Sequence, residues 1–186
     1  MTVHNSYAFI NGKNVDLRPL TLEHVQYYAN WNNEASVRIY ARTIFPITVE
    51  DFKNALDPSK EGTKNEINFE IWHREDEKVI GLCELSEIQW PQGKAFLGAL
   101  IGEPDYWNQD LGSEVTKLLV DYAFLELNFL KLKAYIITKN VGSWKCAEKN
   151  GFIREAVLKN DIYVGGEYLD AYLYGLSKEE WLGMQG

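Results

Sequence analysis

A chain of 186 residues with 46% hydrophobic and 13% aromatic content has the apolar surface for a packed core, which excludes a disordered protein. Its formal net charge of −8 argues against a general nucleic-acid binder, which would show a basic face, and suits cationic partners such as amines or basic protein tails. No run approaches the roughly 18 apolar residues of a membrane span, and the first residues lack a basic region ahead of an apolar one. Cys83 and Cys146 lie in apolar-patterned segments and read as buried thiols of a reducing compartment. The expectation is a cytoplasmic protein with no nucleic-acid and no membrane partner.

In chain order, "VDLRPL" (15–20) reads as a short strand. Thr21 is expected to cap a helix with Leu22, Val25, Tyr28 and Ala29 on one side. Thr48 with Asp51 three residues on resembles a capping box opening a second helix. After the polar loop 57–66 come three strand-like runs, "INFEIWH", "KVIGLCELSEI" and "KAFLGALIG", the charge run at 74–78 marking a solvated hairpin tip. A strong helix over 112–129 follows, with Val115, Leu118, Leu119, Tyr122, Leu125 and Phe129 at helical spacing. "LKAYIIT" is the next strand, and "GSWKCAEKNG" a short helix stopped at Asn150-Gly151. "FIREAVL" and "DAYLYGL" close the pattern as two strands around the turn "VGGEY".

No repeat, low-complexity tract or linker divides residues 1–186, so a single domain is expected. The three-strand run predicts an antiparallel meander, and the strand–helix–strand passage across 94–138 one parallel crossover. The fold class is therefore α/β (α+β): a mostly antiparallel sheet of about six to seven strands with one central parallel pair, flanked by about four helices. Ligands of such sheets favour the crevice beyond the strand ends beside a helix N-terminus. "DYWNQDLGSE" (105–114) lies there.

Three stretches carry a family resemblance: "IGEPDYWNQDLGSEV" (101–115), "NVGSWKCAEKNGF" (140–152) and "GEYLDAYLYGLSKEEW" (166–181). Together they resemble the GNAT acyl-CoA-dependent N-acetyltransferases, in the branch named for the ribosomal-protein acetyltransferases RimJ and RimL. The likeness extends over about residues 14–181. It implies acetyl-CoA as acetyl donor, with the pyrophosphate on the backbone amides of Gln109, Asp110, Leu111, Gly112 and Ser113. The physical basis is sound, because the first turn of a helix leaves about four N–H groups unpaired at its positive end. The resemblance places the pantetheine arm along Leu100, Ile101 and Gly102, and Asn140 and Ser143 near its thiol end.

The sequence departs from the family pattern at four positions. Trp107 stands where Arg or Gln is usual, and Asp110 replaces the first motif glycine. A carboxylate about 6 Å from a phosphate charge would cost roughly 1–3 kcal/mol. Asp110 therefore reads more readily as a helix cap with no coenzyme role for its side chain, and the missing glycine tells against a positive φ. Ala147 takes the place of the tyrosine that protonates the departing thiolate in many relatives, and Phe96 that of a glutamate on the meander's third strand. In the RimJ/RimL branch a serine holds the acid role, which implies Ser143; an N-cap serine is the alternative reading.

Acyl transfer to an amine requires a base for the ammonium proton, a donor for the developing oxyanion and a proton for the leaving sulfur. Glu84 is the leading base, since strand parity with Ile80, Leu82 and Ile88 sets it on an apolar face. Glu70 is second, and transfer through water remains open. His4, His24 and His73 are scattered without an evident catalytic partner, and no metal-ligand spacing occurs. Tyr27, Tyr28, Trp31 and Tyr40 are divided between an acceptor pocket and core packing. The resulting reading is an N-acetyltransferase acting on a protein N-terminus, a polyamine or another small amine, as a monomer or homodimer. The alternative is a non-catalytic acyl-CoA-binding or interaction domain of the same fold.

Overall fold

Sequential apolar runs pair as neighbours four times before the one crossover, three of these times across a short turn that forces it. The computed structural model describes residues 7–41, 44–57 and 65–186. Its strands are β1 (Ile10–Asn11), β2 (Val15–Pro19), β3 (Ile67–His73), β4 (Lys78–Gln89), β5 (Lys94–Ile101), β6 (Lys131–Ile137), β7 (Ile153–Val164) and β8 (Glu167–Ser177). They form a single sheet in the order β1-β2-β3-β4-β5-β6-β8-β7. Every pairing is antiparallel except β5 with β6, the crossover pair.

Among the described residues six α-helices flank the sheet: α1 (Val25–Asn33), α2 (Ala35–Ala41), α3 (Val49–Ala55), α4 (Leu111–Leu125), α5 (Val141–Lys149) and α6 (Lys178–Gly183). On one face, Val115, Leu119, Ala123 and Phe124 of α4 join Val15, Leu17, Ile71, Ile80, Cys83 and Leu85 of the sheet in the main core cluster. On the other, Val25, Tyr28 and Trp31 of α1 and Val37 of α2 cluster with Val79, Leu82 and Leu100. At about 1.5–3 kcal/mol per fully buried large apolar side chain, these two layers clamp the sheet between α4 and α1.

Several expectations need correction. Thr21 makes no side-chain cap bond; the chain enters a 3-10 turn over Leu22–His24, and α1 begins only at Val25. Leu22 is consequently 63% exposed rather than part of the apolar side. The strong helix ends at Leu125, itself exposed, and Phe129 reaches the core only after a left-handed turn at Asn128. Strand β1 is two residues long, below the reach of any periodicity argument. Helices α2 and α6 also lay beyond the expected set of elements. The signal for α6 was present, because Ser177 and Glu180 form the same reciprocal cap that Thr48 and Asp51 form at α3. The "VGGEY" turn is as expected: Gly165 and Gly166 have φ of +62° and +88°, the left-handed pair that a two-residue hairpin requires.

Candidate active site

The parallel strands β5 and β6 stay together only briefly. Lys94, Ala95 and Phe96 pair with Lys131, Leu132 and Lys133, and beyond them no pairing joins the two strands. Beyond this vertex lie Leu97–Ile101 on one side and Ala134–Ile137 on the other, with α4 and α5 starting shortly after the strand ends. The result is a wedge in the middle of the sheet between two unpaired strand edges.

Backbone direction decides which β5 groups face this gap. The Gly93 carbonyl accepts from Leu130 at 2.7 Å on the β6 side, whereas the Gly102 amide donates to Ile80 of β4 at 2.9 Å. Successive residues point to opposite edges, so Leu97, Ala99 and Ile101 face the gap, while Leu100 and Gly102 face β4. A Cβ at Gly81 of β4 would lie 2.1 Å from the Leu100 carbonyl oxygen, which confirms that orientation. Of the three residues assigned to the pantetheine arm, Ile101 alone offers main-chain groups to the gap. Sequence gave no means to see this, since the parity depends on which neighbour β5 pairs with.

The loop after β5 is held at its ends. The Trp107 indole N–H donates to the Ile101 carbonyl at 2.8 Å, and the Gln109 side-chain amide to the Asp105 carbonyl at 2.7 Å. From the far side, the Trp31 ring lies on Gly102, where a Cβ would come within 2.2 Å of the ring, and its N–H donates to Glu103 at 2.9 Å. Lys78 completes this latch at 3.2 Å from Glu103. Tyr106 donates to Asp76 at 2.5 Å, which pushes its hydroxyl up to about 12. Trp31, expected as acceptor pocket or core, thus joins α1 to the loop after β5.

Asn108 and Asp110 both take the left-handed conformation, with φ of +61° and +64°. Replacement of the glycine by aspartate has therefore kept the positive φ, contrary to expectation, as the αL tolerance of Asp allows. Asp110 occupies the N-cap position of α4 but makes no side-chain cap bond; its carboxylate pairs instead with Lys149 of α5. Among the described residues, the amides of Gln109, Asp110, Leu111 and Gly112 meet no protein acceptor. The Ser113 amide differs, since it donates to the Asp110 carbonyl at 3.0 Å, and its hydroxyl accepts from Asn150 at 3.1 Å. Ser113 thus fixes the turn and leaves the other four donors free. A Cβ at Gly112 would meet nothing within 4 Å, so the space in front of the turn is open. Free amides at a helix start, with left-handed residues among them, form a concave anion site. The site fits the diphosphate of coenzyme A.

Helix α4 is fixed to the rest of the fold by Glu114. Its carboxylate accepts from the amides of Lys13, Asn14 and Val15 at 2.6, 2.8 and 3.3 Å, and from the Asn14 side chain at 2.7 Å. Burial pushes this carboxyl up, but the bonds from Asn14, Val15 and Lys13 outweigh it and hold the group below its ordinary 4.5. Such a carboxylate stabilises the fold fully above the unfolded pKa and loses its contribution as pH falls through the folded one. Glu114→Ala is expected to lower stability by about 1–3 kcal/mol at pH 7 in urea unfolding. The difference from the parent should shrink as the pH drops below 4.5; a difference constant down to pH 3 would contradict the assignment.

Glu84 keeps its candidacy for a different reason from the one expected. Its predicted parity with Ile80 and Ile88 is broken twice. The β3–β4 register shifts at Ile80 and the β4–β5 register shifts between Ser86 and Gln89, where Glu87 has φ of +48°. Ile80 and Ile88 therefore belong to the α4-side core, whereas Glu84 shares the opposite face with Leu82. There it lies across Gly98 of β5, where a Cβ would be 3.2 Å from its Cγ and 3.3 Å from its Oε1. The missing side chain at position 98 lets the half-buried carboxylate rest beside the vertex of the gap.

Glu70 is wholly buried, accepting from the Tyr28 hydroxyl at 2.5 Å and approached by His24 Nδ1 at 2.7 Å. Burial, and then this bond, push the Tyr28 hydroxyl up. The Leu82–Leu100 row separates Glu70 from the gap, so it belongs to a packed network under α1. His73 stands 3.0 Å from Asp76, so two histidines have carboxylate partners that their spacing in sequence did not reveal. His4 lies outside the described residues, as do positions 58–64 of the polar loop. At the start of α5, Asn140 is the cap, accepting from the Ser143 amide at 3.2 Å. Ser143 sits one turn inside, so the reading of an N-cap serine falls. Tyr28 and Trp31 are core residues, while Tyr27 and Tyr40 are exposed.

A wedge between parallel strands, facing free amides at a helix start, is an architecture that comparison with known proteins can place. The family profile of the acetyltransferase (GNAT) domain matches residues 14–153. The chain belongs to the GNAT acetyltransferase family. Like other GNAT enzymes it is an acyltransferase, and acetyl-CoA is its acetyl donor. The N-acetyltransferase YnaD of Bacillus subtilis is 33% identical over 142 residues, covering 72% of this chain and 76% of that protein. The spermidine N(1)-acetyltransferase of Escherichia coli K12 is 28% identical over 168 residues, 90% of this chain and 88% of that one. The crystal structure of spermidine N-acetyltransferase from Vibrio cholerae, in complex with CoA and spermine, shares the fold. It superposes with a TM-score of 0.82 at 21% identity, covering 91% of this chain and 98% of that one. No helix among the described residues is long and apolar enough to cross a membrane.

Proposed function

We propose that this GNAT enzyme is RimJ/RimL-like and acetylates a primary amine, a protein N-terminus, a polyamine or another small amine, by direct attack on the thioester. The observation that carries the reading is Glu84 over Gly98, a carboxylate beside the vertex of a gap lined by outward main-chain groups. Bound acetyl-CoA supplies an activated acetyl thioester. The amides of Gln109 to Gly112 hold its diphosphate, and the gap-facing groups of Leu97, Ala99 and Ile101 receive the pantetheine arm. Glu84, directly or through a water, takes a proton from the acceptor's ammonium group, so that a neutral nitrogen attacks. The β5 amides facing the gap stabilise negative charge on the acyl oxygen as it develops. Ser143 donates a proton to the departing sulfur, Asn140 fixing the first turn of α5 on which it stands. The E. coli spermidine relative supports a small amine as acceptor.

The test is calorimetric titration with acetyl-CoA followed by thiol release across a panel of amines and peptide N-termini. The expected result is saturable binding with a Kd in the range of about 1 μM to 1 mM, and amine-dependent thiol release. Thiol release that no amine accelerates above the background would defeat the proposal.

A further inference from the structure

A cavity of about 180 Å³ lies between α2 and the β7–β8 hairpin. Ile39 and Tyr40 of α2, Ile137 at the end of β6, and Val164 and Leu169 of the hairpin supply its apolar walls. Ile137 is also the last residue of the strand that forms the far wall of the coenzyme gap, so cavity and gap share a boundary. Helix α2 packs through Val37 into the same cluster as Leu82, which places the cavity on the face that bears Glu84. At the rim, Lys139 and Glu167 pair with each other, each more than half exposed. Among the described residues that line the cavity Glu167 is the only carboxylate, and its charge is already matched.

We infer that this cavity receives an apolar group carried by the acceptor next to its reacting amine, and thereby sets the substrate class. The inference rests on the acetyl-transfer reading above. Its volume resembles that of a roughly 150 Å³ apolar cavity that holds one benzene molecule, so it takes a single ring or a branched alkyl group. An acceptor with a second ammonium group, such as a polyamine, would need an unmatched carboxylate where this cavity presents aliphatic walls and a neutralised pair. Burying a cation there without a partner is costly. The enzyme therefore discriminates by apolar contact, the type of selection in which each methylene-sized group contributes about 10- to 200-fold.

The test compares kcat/KM of the full chain for three acceptors with acetyl-CoA: 3-methylbutylamine, ethylamine and spermidine. The first two have similar basicity and differ in the apolar arm. The expected result is a preference for 3-methylbutylamine of at least about tenfold over each of the others. Ile39→Trp fills the cavity from an exposed helix and should bring the ratio of 3-methylbutylamine to ethylamine towards one. Ile39→Ala enlarges it and should shift the optimum to a bulkier arm such as 2-(naphthyl)ethylamine. Circular dichroism and coenzyme titration of both variants establish that they fold. A preference for spermidine, equal rates for all three amines, or a ratio that neither Ile39 variant moves would overturn this inference and leave acetyl transfer standing. Transfer to none of them, with coenzyme bound, would overturn this inference, and failure that extends to the peptide N-termini as well would overturn the acetyl-transfer reading too.

Discussion

Gly112→Glu is expected to fold like the parent protein and to bind acetyl-CoA at least about thirtyfold more weakly, as read by calorimetry. The fold should survive because a Cβ at position 112 meets nothing within 4 Å, and a glutamate in the first turn of a helix is favourable to the helix itself. Binding should not, because the new carboxylate projects in front of the four free amides proposed to hold the diphosphate. One charge pair at about 6 Å costs roughly 1–3 kcal/mol, and a diphosphate presents more than one charge. Gly112→Ala is the matched control, adding a methyl without charge, and should stay near the parent. An equal loss in both variants would show that space rather than charge matters.

Asp110→Gly completes the comparison with the opposite outcome. Asp110 holds a left-handed conformation at φ of +64°, and its carboxylate pairs with Lys149 and makes no cap bond to the helix amides. Glycine adopts that conformation freely, and an exposed ion pair contributes little. Affinity for acetyl-CoA should remain within about threefold or improve. A loss above about tenfold would give the Asp110–Lys149 pair a positive part in coenzyme binding.

Glu84→Gln is expected to lower kcat by about 100-fold while leaving affinity for acetyl-CoA within about twofold, the size typical of losing a positioned general base. The substitution keeps the shape that rests on Gly98 and removes only the ability to take a proton. The acid limb of the kcat/KM pH profile should flatten, which a merely structural role would not produce. Ser143→Ala should cost less, about tenfold, because water also protonates a thiolate. A kcat within about threefold of the parent for Glu84→Gln would remove Glu84 from the mechanism and leave water-mediated deprotonation.

The turn that opens α4 and the placement of Glu84 were legible in sequence to different degrees, and the cause is the range over which each is specified. A turn at the start of a helix is encoded locally, and the run from Gln109 to Gly112 supplies its free amides wherever the helix packs. The direction of a β5 amide is set by a partner strand. Leu100 and Gly102 were accordingly chosen where Leu97, Ala99 and Ile101 face the gap. A strict period of two sets Glu84 beside Ile80, Leu82 and Ile88, and of these Leu82 alone shares its face. Two register shifts in β4 each change the alternation; Gly81 stands beside the first, but at the second Glu87 takes φ of +48° as a glutamate, with no glycine to announce it.

By itself, the sequence determined the order of the main strands and helices, the parallel crossover, the caps at Thr48 and Gly151, and the position of the turn that opens α4. These are consequences of periodicity, capping chemistry and short connections, which act over a few residues. Only the tertiary structure decided what depends on residues far apart in the chain. It turned Asp110 toward Lys149, set the Trp31 ring on Gly102, bound Glu114 to the turn at Lys13–Val15, and brought α2 against the β7–β8 hairpin around an apolar cavity. Each of these joins segments whose separation in sequence carries no local signal, and packing alone sets their distance in space.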